Sequence, residues 1–237
     1  MKTYAIIPAR SGSKGVPHKN IRRLCGHELL GYSVAFAKSL GLDRVICSTD
    51  SPEYAEVAKK YGAEVPFLRS AAAAGDKSME QDILQDLYAQ FSKHGIPIPD
   101  LLVWLRPTFV FRDAGSVREC IDRMIQEPAL TACRVVVPSE SRLYRIEQGI
   151  LHPTFLTHGR SMIRRQDVGT AYRVFCTDVL RGGDTTVNFL GDHVGAVIGD
   201  KICGVDVDDE FDLLLAEAIM RHMHNDLGSY LALAPVL

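Results

Sequence analysis

A short apolar segment followed by a basic, glycine-containing loop constrains this chain more than any other feature. The segment, Ala5–Ile7, predicts a buried strand, and the loop after it carries four basic side chains: Arg10, Lys14, Lys19 and Arg22. Gly12 and Gly15 permit positive φ angles, so successive backbone N–H groups in the loop can line a pocket for an anion. Four cations around such a pocket suit a polyphosphate. The loop has neither the GxxxxGK[ST] spacing of a Walker loop nor the GxGxxG spacing of a dinucleotide-binding turn, so it predicts a different kind of phosphate site.

The composition predicts a soluble enzyme with one domain over residues 1–237, since a chain of this length can bury one sizeable core. Apolar residues make up 46% of the chain, but no apolar run is long enough to span a bilayer, and the N-terminus lacks the pattern of a signal peptide. A net charge of −2 gives no reason to expect a nucleic-acid partner. Six cysteines without CxxC spacing predict reduced, mostly buried thiols and a cytoplasmic location.

The order of the predicted elements favours an α/β fold. Apolar segments alternate with helical patterns, and four of these segments are predicted strands: Tyr4–Pro8, Arg44–Ser48, Glu64–Phe67 and Leu101–Leu105. This alternation is typical of a mostly parallel sheet flanked by helices, in which ligands bind at the carboxyl ends of the strands. Arg10, Asp50 and Arg106 each follow a predicted strand, so we expect them to meet at one edge of the sheet.

Capping residues mark the ends of one predicted helix. Ser51 suits the N-cap, Pro52 suits the first turn, and Gly62 suits the position just past the last turn. The sequence therefore predicts a helix between Ser51 and Gly62.

The stretch from about residue 131 to residue 177 departs from the alternation of strands and helices. It contains loops and three short predicted strands: Arg134–Val137, Leu143–Ile146 and Ala171–Phe175. We interpret residues 135–175, approximately, as a small lobe inserted between strands of the sheet.

A pair of aspartates near the C-terminal end predicts a metal site. Asp206 and Asp208 alternate with valines, so on a strand both carboxylates would project from one face, with Cα atoms roughly 6.6 Å apart. Two hard oxygen ligands at this spacing can bind one Mg²⁺ and leave positions for water and phosphate oxygens. Asp209 has a different predicted role, because Asp212 and an apolar stripe follow it, which is typical of a helix N-cap.

Several of these segments together resemble a known family. The run from Ile7 to Gly15, followed by Lys19–Arg22, is similar to the signature of the CMP-acylneuraminate synthetases. The resemblance continues in the same order along the chain, through four further segments: Ser48–Ser51, Tyr61–Arg69, Arg164–Asp167 and Gly204–Leu213. It implies a Rossmann-like nucleotidyltransferase fold and a cytidylyltransferase that activates an acid sugar with CTP, using Mg²⁺ and releasing pyrophosphate.

The resemblance also implies roles for individual residues. Three basic residues would act in catalysis: Arg10 and Lys14 would hold the triphosphate, and Lys19 would contact the leaving pyrophosphate. Ser13 would bind the nucleotide by donating a hydrogen bond from the loop. A second group would recognise cytidine: Asn20, Arg69 and, close by, Ser78. Arg165 and Gln166 would contact the acidic acceptor, while Asp206 and Asp208 would hold the metal. In the family the inserted lobe covers the sugar and contributes to a dimer, so the chain is expected to form a homodimer.

The chain departs from the family in the half that would bind the acceptor. The family has Gln-Pro-Thr-Ser-Pro-Leu-Arg where this chain has Arg106–Arg112, which replaces a neutral amide by a fixed charge at Arg106. After Arg164–Asp167 the family has a longer stretch with a tyrosine and Asn-Gly, whereas here Val168–Arg173 follows at once. Two acceptors stay open: an acid sugar, or a smaller and more anionic acid such as a phosphonate, with Arg106 contacting either one.

Two functions of other classes are the alternatives. A nicotinamide-binding Rossmann dehydrogenase would need the glycine fingerprint that this loop lacks. A noncatalytic nucleotide-binding protein would not need both a phosphate loop and a metal pair. No dedicated general base is evident in the sequence.

Overall fold

The computed structural model describes residues 1–13, 16–155, 164–182 and 188–223. Lys14 of the predicted phosphate loop lies outside the described residues. Along the described ranges the strands are β1 (Thr3–Pro8), β2 (Arg23–Leu24), β3 (His27–Glu28), β4 (Arg44–Ser48), β5 (Leu101–Trp104), β6 (Ala132–Ser139), β7 (Tyr144–Glu147), β8 (Ile150–Pro153), β9 (Ala171–Arg181) and β10 (Val194–Ile198). The helices are α1 (Leu29–Leu40), α2 (Pro52–Lys60), α3 (Ala71–Ala74), α4 (Glu80–Lys93), α5 (Ala114–Gln126), α6 (Arg165–Val168) and α7 (Glu210–Met223).

Six strands form the central sheet, in the order β10-β6-β9-β5-β1-β4. β1 pairs in parallel with β4 and β5, and β10 pairs in parallel with β6, whereas β9 runs antiparallel to both of its neighbours. Buried apolar side chains pack on both faces of the sheet, which is why the strand around Ile6 reads as a continuous apolar run. The predicted α/β class with a mostly parallel sheet is confirmed.

The predicted boundaries of α2 are also confirmed. Ser51 is the N-cap, and its hydroxyl oxygen accepts a hydrogen bond from the Tyr54 N–H at 3.4 Å. Pro52 is the first helical residue, and Gly62 follows the last turn with a φ of 93°. Within the described residues, no helix combines the length and the apolar character needed to cross a membrane.

The predicted strand Glu64–Phe67 is wrong. Glu64 makes an isolated parallel bridge to Ile46, with hydrogen bonds to Val45 and Cys47 on either side of that partner. The pairing ends there, because Pro66 two residues later has no N–H to donate to a ladder.

Both ends of the predicted inserted lobe belong to strands of the central sheet. Both β6 and β9 belong to that sheet, and they pair as far as Ser139 and Ala171. Between them, β7 and β8 form a separate two-stranded antiparallel hairpin. Large apolar side chains of this hairpin segment are exposed: Leu143, Tyr144, Ile146, Ile150 and Leu151. The role of the lobe stays a prediction.

Asp209 caps α7 as predicted. Its carboxylate accepts the Asp212 N–H at 2.9 Å, and the Asp212 carboxylate in turn accepts the Asp209 N–H at 3.1 Å. This reciprocal arrangement is a capping box. The apolar stripe that follows lies partly in solvent, since Phe211 is 72% exposed and Leu214 is 65% exposed.

Candidate active site

The segments that follow β1 and β5 border a cavity of about 310 Å³, which we call the rim cavity. Six of the residues singled out in the sequence line it: Arg10, Lys19, Asn20, Arg69, Ser78 and Arg106. The loop after each of these parallel strands thus contributes to one edge of the sheet, as the strand order predicts.

The phosphate loop is fixed to the sheet edge from two sides. The Asp50 carboxylate, just past β4, accepts the Ser11 N–H at 2.9 Å and the Ser11 hydroxyl at 2.7 Å. Asn20, which is only 6% exposed, donates its amide N–H to the Arg10 carbonyl at 2.9 Å. Ser13 follows in the loop, and its N–H donates to the Ser11 carbonyl at 3.0 Å. Asn20 therefore supports the loop, whatever it contacts in a ligand.

Two arginines of the rim cavity are held by backbone carbonyls. Arg69 is 5% exposed and donates to the Ser48 hydroxyl at 3.0 Å and to the Ser48 carbonyl at 2.6 Å. Burial lowers the pKa of the Arg69 guanidinium, although the nearby charge of Asp50 opposes the shift. Arg10 donates to the Gly75 carbonyl at 3.2 Å, in the segment that also carries Ser78. The Arg69 guanidinium is thus held at the cavity wall, whereas the Arg10 side chain is 31% exposed and also lies 3.8 Å from the Asp76 carboxylate.

The segment that carries Asp206 and Asp208 is not a strand, which corrects the sequence-based expectation. It is an extended segment after a 3-10 turn at Lys201–Gly204, and it has no strand neighbour among the described residues. Between the two aspartates Val207 is buried, as the alternating pattern predicts: it is 1% exposed, and its N–H donates to the Thr108 carbonyl at 3.0 Å. This hydrogen bond holds the segment beside the residues that follow β5.

Each of the two aspartates contacts a basic side chain. The Lys19 Nζ lies 2.7 Å from the Asp208 Oδ1, and an Arg173 Nη2 lies 2.9 Å from the Asp206 Oδ2. Lys19 therefore joins the phosphate loop to the aspartate pair.

The environment of Asp206 fits a divalent cation. Burial raises the pKa of the Asp206 carboxyl above its ordinary value, and the neighbouring charge of Asp208 adds to the rise, while Thr108 opposes it by a hydrogen bond. Within the described part of the chain, the Asp206 Oδ1 is buried without a hydrogen-bond partner. A buried carboxylate oxygen left in this way can be satisfied by a metal ion. No group of three or more His, Cys, Asp and Glu side chains gathers among those residues, so two carboxylates would have to be supplemented by water or phosphate oxygens.

Arg106 follows β5 at the rim, but carboxylates already match its charge. Its Nε lies 2.5 Å from the Glu80 Oε1 and its Nη1 lies 2.6 Å from the Asp178 Oδ2. Asp178 is fully buried and also accepts from Arg134 Nε at 2.8 Å. Protein groups therefore bind Nε and Nη1 of Arg106, while Nη2 is buried without a hydrogen-bond partner among the described residues. Its contact with an acceptor stays a prediction.

A kink in β9 is part of the same network. Phe175 has a φ of 70°, which is rare for an aromatic residue, and the sheet register shifts opposite this point. Arg106 donates to the Phe175 carbonyl at 2.8 Å, and the Arg106 guanidinium lies 5.2 Å from the Phe175 ring centre. The bend lies between Arg173 and Asp178. Arg106 therefore contacts both the backbone and the ring of the residue at the bend.

Sequence reasoning missed Glu80, Asp178 and Arg173 as parts of this region. Their contacts join residues 26, 72 and 33 positions apart, and no short motif marks them. Arg165 and Gln166 lie on α6, and their contact with an acceptor stays a prediction.

Comparison with known proteins identifies the chain's relatives. A family model described as cytidylyltransferase matches residues 4–93. The pseudaminic acid cytidylyltransferase of Campylobacter jejuni is 31% identical over 176 residues, which cover 73% of this chain and 75% of that protein. The chain belongs to the CMP-sialic acid synthetase-like family of cytidylyltransferases. It is therefore a nucleotidyltransferase, as the motifs predict, and the dehydrogenase and noncatalytic alternatives are not supported.

Two further relatives align with the chain over about half of their own length. A CMP-N,N'-diacetyllegionaminic acid synthase of Legionella pneumophila is 37% identical over 123 residues, which cover 52% of this chain and 53% of that protein. The N-acylneuraminate cytidylyltransferase of Escherichia coli is 28% identical over 230 residues, which cover 93% of this chain but 52% of that protein. The chain thus aligns with about half the length of each of these two relatives.

Solved structures confirm the predicted nucleotidyltransferase fold of the cytidylyltransferase. A CMP:2-keto-3-deoxy-manno-octonic acid synthetase, solved with CTP, superposes with a TM-score of 0.66 over 93% of this chain and 99% of that one, at 15% identity. A 4-diphosphocytidyl-2C-methyl-D-erythritol synthase from Anaerococcus prevotii gives a TM-score of 0.64 over 93% of this chain and 96% of that one, at 13% identity. At such low identity the likeness concerns the fold alone.

Proposed function

We propose that this cytidylyltransferase transfers CMP from CTP to an acid sugar of the sialic, legionaminic or pseudaminic type and releases pyrophosphate. The observation that carries the proposal is the rim cavity, where the phosphate loop, Arg69 and the Lys19–Asp208 pair converge. The names of the relatives support CTP and an acid sugar as the substrates.

The proposed mechanism follows from charge and position. Arg10, Ser13 and Lys14 would bind the triphosphate, while Lys19 would stabilise the leaving pyrophosphate, since repulsion among phosphate oxygens is the main barrier to attack. Asp206 and Asp208 would hold Mg²⁺, which when bound would neutralise charge on the α-phosphate.

Cytidine recognition is proposed for the same rim cavity. Arg69 and Ser78 line that cavity, and Asn20 fixes the loop beside them. Arg69 is held by Ser48, so it can present a rigid donor to the pyrimidine without an entropic cost of ordering its side chain.

The acid sugar is favoured over the smaller phosphonate acceptor. The phosphonate alternative depends on an uncommitted charge at Arg106, and that charge is matched by Glu80 and Asp178. Arg165 and Gln166 are proposed to contact the sugar from α6.

The proposed homodimer and cytoplasmic location have separate support. The exposed apolar side chains of the β7–β8 hairpin, such as Ile146 and Leu151, offer a surface for a second copy. All six cysteines are free thiols and five are buried, which suits a reducing compartment. Sedimentation of the purified protein would test the dimer.

CTP is expected to bind more tightly than ATP, GTP or UTP, and to bind without acceptor present. The preference for CTP is expected from the cytidylyltransferase relatives. Binding without acceptor is expected because contacts within the protein hold the phosphate loop and Arg69. Calorimetric titration with the four nucleotides measures this directly. Tighter binding of ATP or GTP than of CTP would contradict the proposed use of CTP.

The transfer itself is tested by pyrophosphate release with CTP, Mg²⁺ and a panel of acids. The panel contains an N-acylneuraminate, N,N'-diacetyllegionaminic acid, pseudaminic acid and a small phosphonate. We expect release with at least one acid sugar and none with the phosphonate. Release with the phosphonate alone would replace the proposed acceptor class.

A further inference from the structure

A second cavity of about 540 Å³, which we call the side cavity, lies next to the rim cavity. The two cavities share three lining residues: Glu80, Arg106 and Thr108. The Glu80–Arg106 ion pair thus forms part of a wall between them. Asp206 and Asp208 line the side cavity, so an acceptor there would lie beside the proposed metal ligands and next to the rim cavity proposed for the nucleotide.

Two arginines line the side cavity, and their charges are balanced very differently. Arg106 contacts two carboxylates, those of Glu80 and Asp178, and its side chain is 13% exposed. Arg173 contacts one carboxylate, that of Asp206, and its side chain is 45% exposed. Arg173 is therefore the more accessible cation and the one with less compensating charge.

The position of Arg173 is also restricted by packing. Its guanidinium lies 5.5 Å from the centre of the Phe109 ring, and the ring face limits where the group can move. A guanidinium held on an aromatic ring keeps the in-plane N–H donors available, which suits a planar carboxylate.

We propose that Arg173 binds the carboxylate of the acceptor in the side cavity. The inference rests on the proposed transfer to an acid sugar. In sugars of this class the reacting hydroxyl is on the carbon that bears the carboxylate. A carboxylate bound by Arg173 therefore places that hydroxyl beside Asp206, at the edge that the two cavities share. Arg106 is assigned a positioning role, because it pairs with Glu80 between the two cavities and bonds the backbone at the bend of Phe175.

The test combines a change in the enzyme with a change in the acceptor. Arg173→Gln is compared with wild type on an acid sugar and on its carboxylate methyl ester, which keeps the hydroxyl but lacks the anion. We expect kcat/KM for the acid to fall about 10- to 150-fold, as for a lost charge-assisted bidentate contact, and kcat/KM for the ester to change less than about threefold. Arg173→Lys should give an intermediate loss, because it keeps the charge without the fork.

Two controls separate this role from a general loss of structure. Arg221→Gln removes an arginine with 68% side-chain exposure on α7 and should leave both acceptors unaffected. The Kd of each variant for CTP, measured by calorimetry, should stay within about threefold of wild type, because Arg173 does not line the rim cavity proposed for the nucleotide.

The outcomes distinguish the two levels of the proposal. An equal loss on acid and ester, or a loss of CTP affinity, would overturn the role of Arg173 while leaving the transfer reaction in place. Wild-type enzyme that turns over none of the acid sugars would instead overturn the proposed function, and this inference with it.

Discussion

Asp208→Asn is expected to lower turnover at saturating CTP by at least ~100-fold, on the order of 3 kcal/mol of transition-state stabilisation. The carboxamide is nearly isosteric, so the fold should be retained, but one charged ligand of the proposed metal site and the carboxylate partner of Lys19 are lost. The measurement is kcat over a range of Mg²⁺ concentrations, together with the affinity for Mn²⁺ by calorimetry. Both should fall in the same variant.

Asp209→Asn is the matched control for this prediction. It changes the next residue in the same way, and asparagine is as good an N-cap as aspartate, so α7 should keep its start. Turnover should stay close to wild type. If Asp208→Asn kept wild-type turnover at limiting Mg²⁺, Asp208 would not belong to the metal site.

Asp178→Asn is expected to lower the free energy of unfolding by about 3–5 kcal/mol. Asp178 is fully buried between Arg106 and Arg134, whose side chains are 13% and 8% exposed. Removing the charge leaves two buried guanidinium groups with Glu80 as the remaining carboxylate partner. Urea denaturation at neutral pH, with the midpoint and slope measured for both proteins, gives the difference.

Asp122→Asn serves as the control for stability. Asp122 is exposed on α5, so its replacement should change the free energy of unfolding by less than about 0.5 kcal/mol. A loss below about 1 kcal/mol for Asp178→Asn would mean that the three charges are solvated or rearranged, and the wall between the cavities would not depend on them.

Local patterns predicted the features that neighbouring residues determine. The cap at Ser51 and the cap at Asp209 each depend on a side chain that bonds a backbone N–H three residues on, so the sequence was sufficient. The gathering of loops at one sheet edge follows from the parallel order of β4, β1 and β5.

Features that depend on distant partners could not be predicted in this way. The Asp206–Asp208 segment alternates like a strand, but no strand lies beside it in the described ranges, and alternation does not reveal the neighbour. The partners of Arg106 could not be predicted for the same reason, because its two carboxylate partners come from α4 and β9. The charge at Arg106 looked available in the sequence, since its neutralisation is a tertiary effect.

The contact between Lys19 and Asp208 has a consequence for protein synthesis, because it joins positions 189 residues apart. A nascent chain can present the phosphate loop and the segment that matches the family model long before Asp208 leaves the ribosome. A truncated product that stops earlier would carry the loop without the carboxylate that contacts Lys19. Under the proposed mechanism such fragments would not turn over CTP, so premature termination would not produce a nucleotide-consuming by-product.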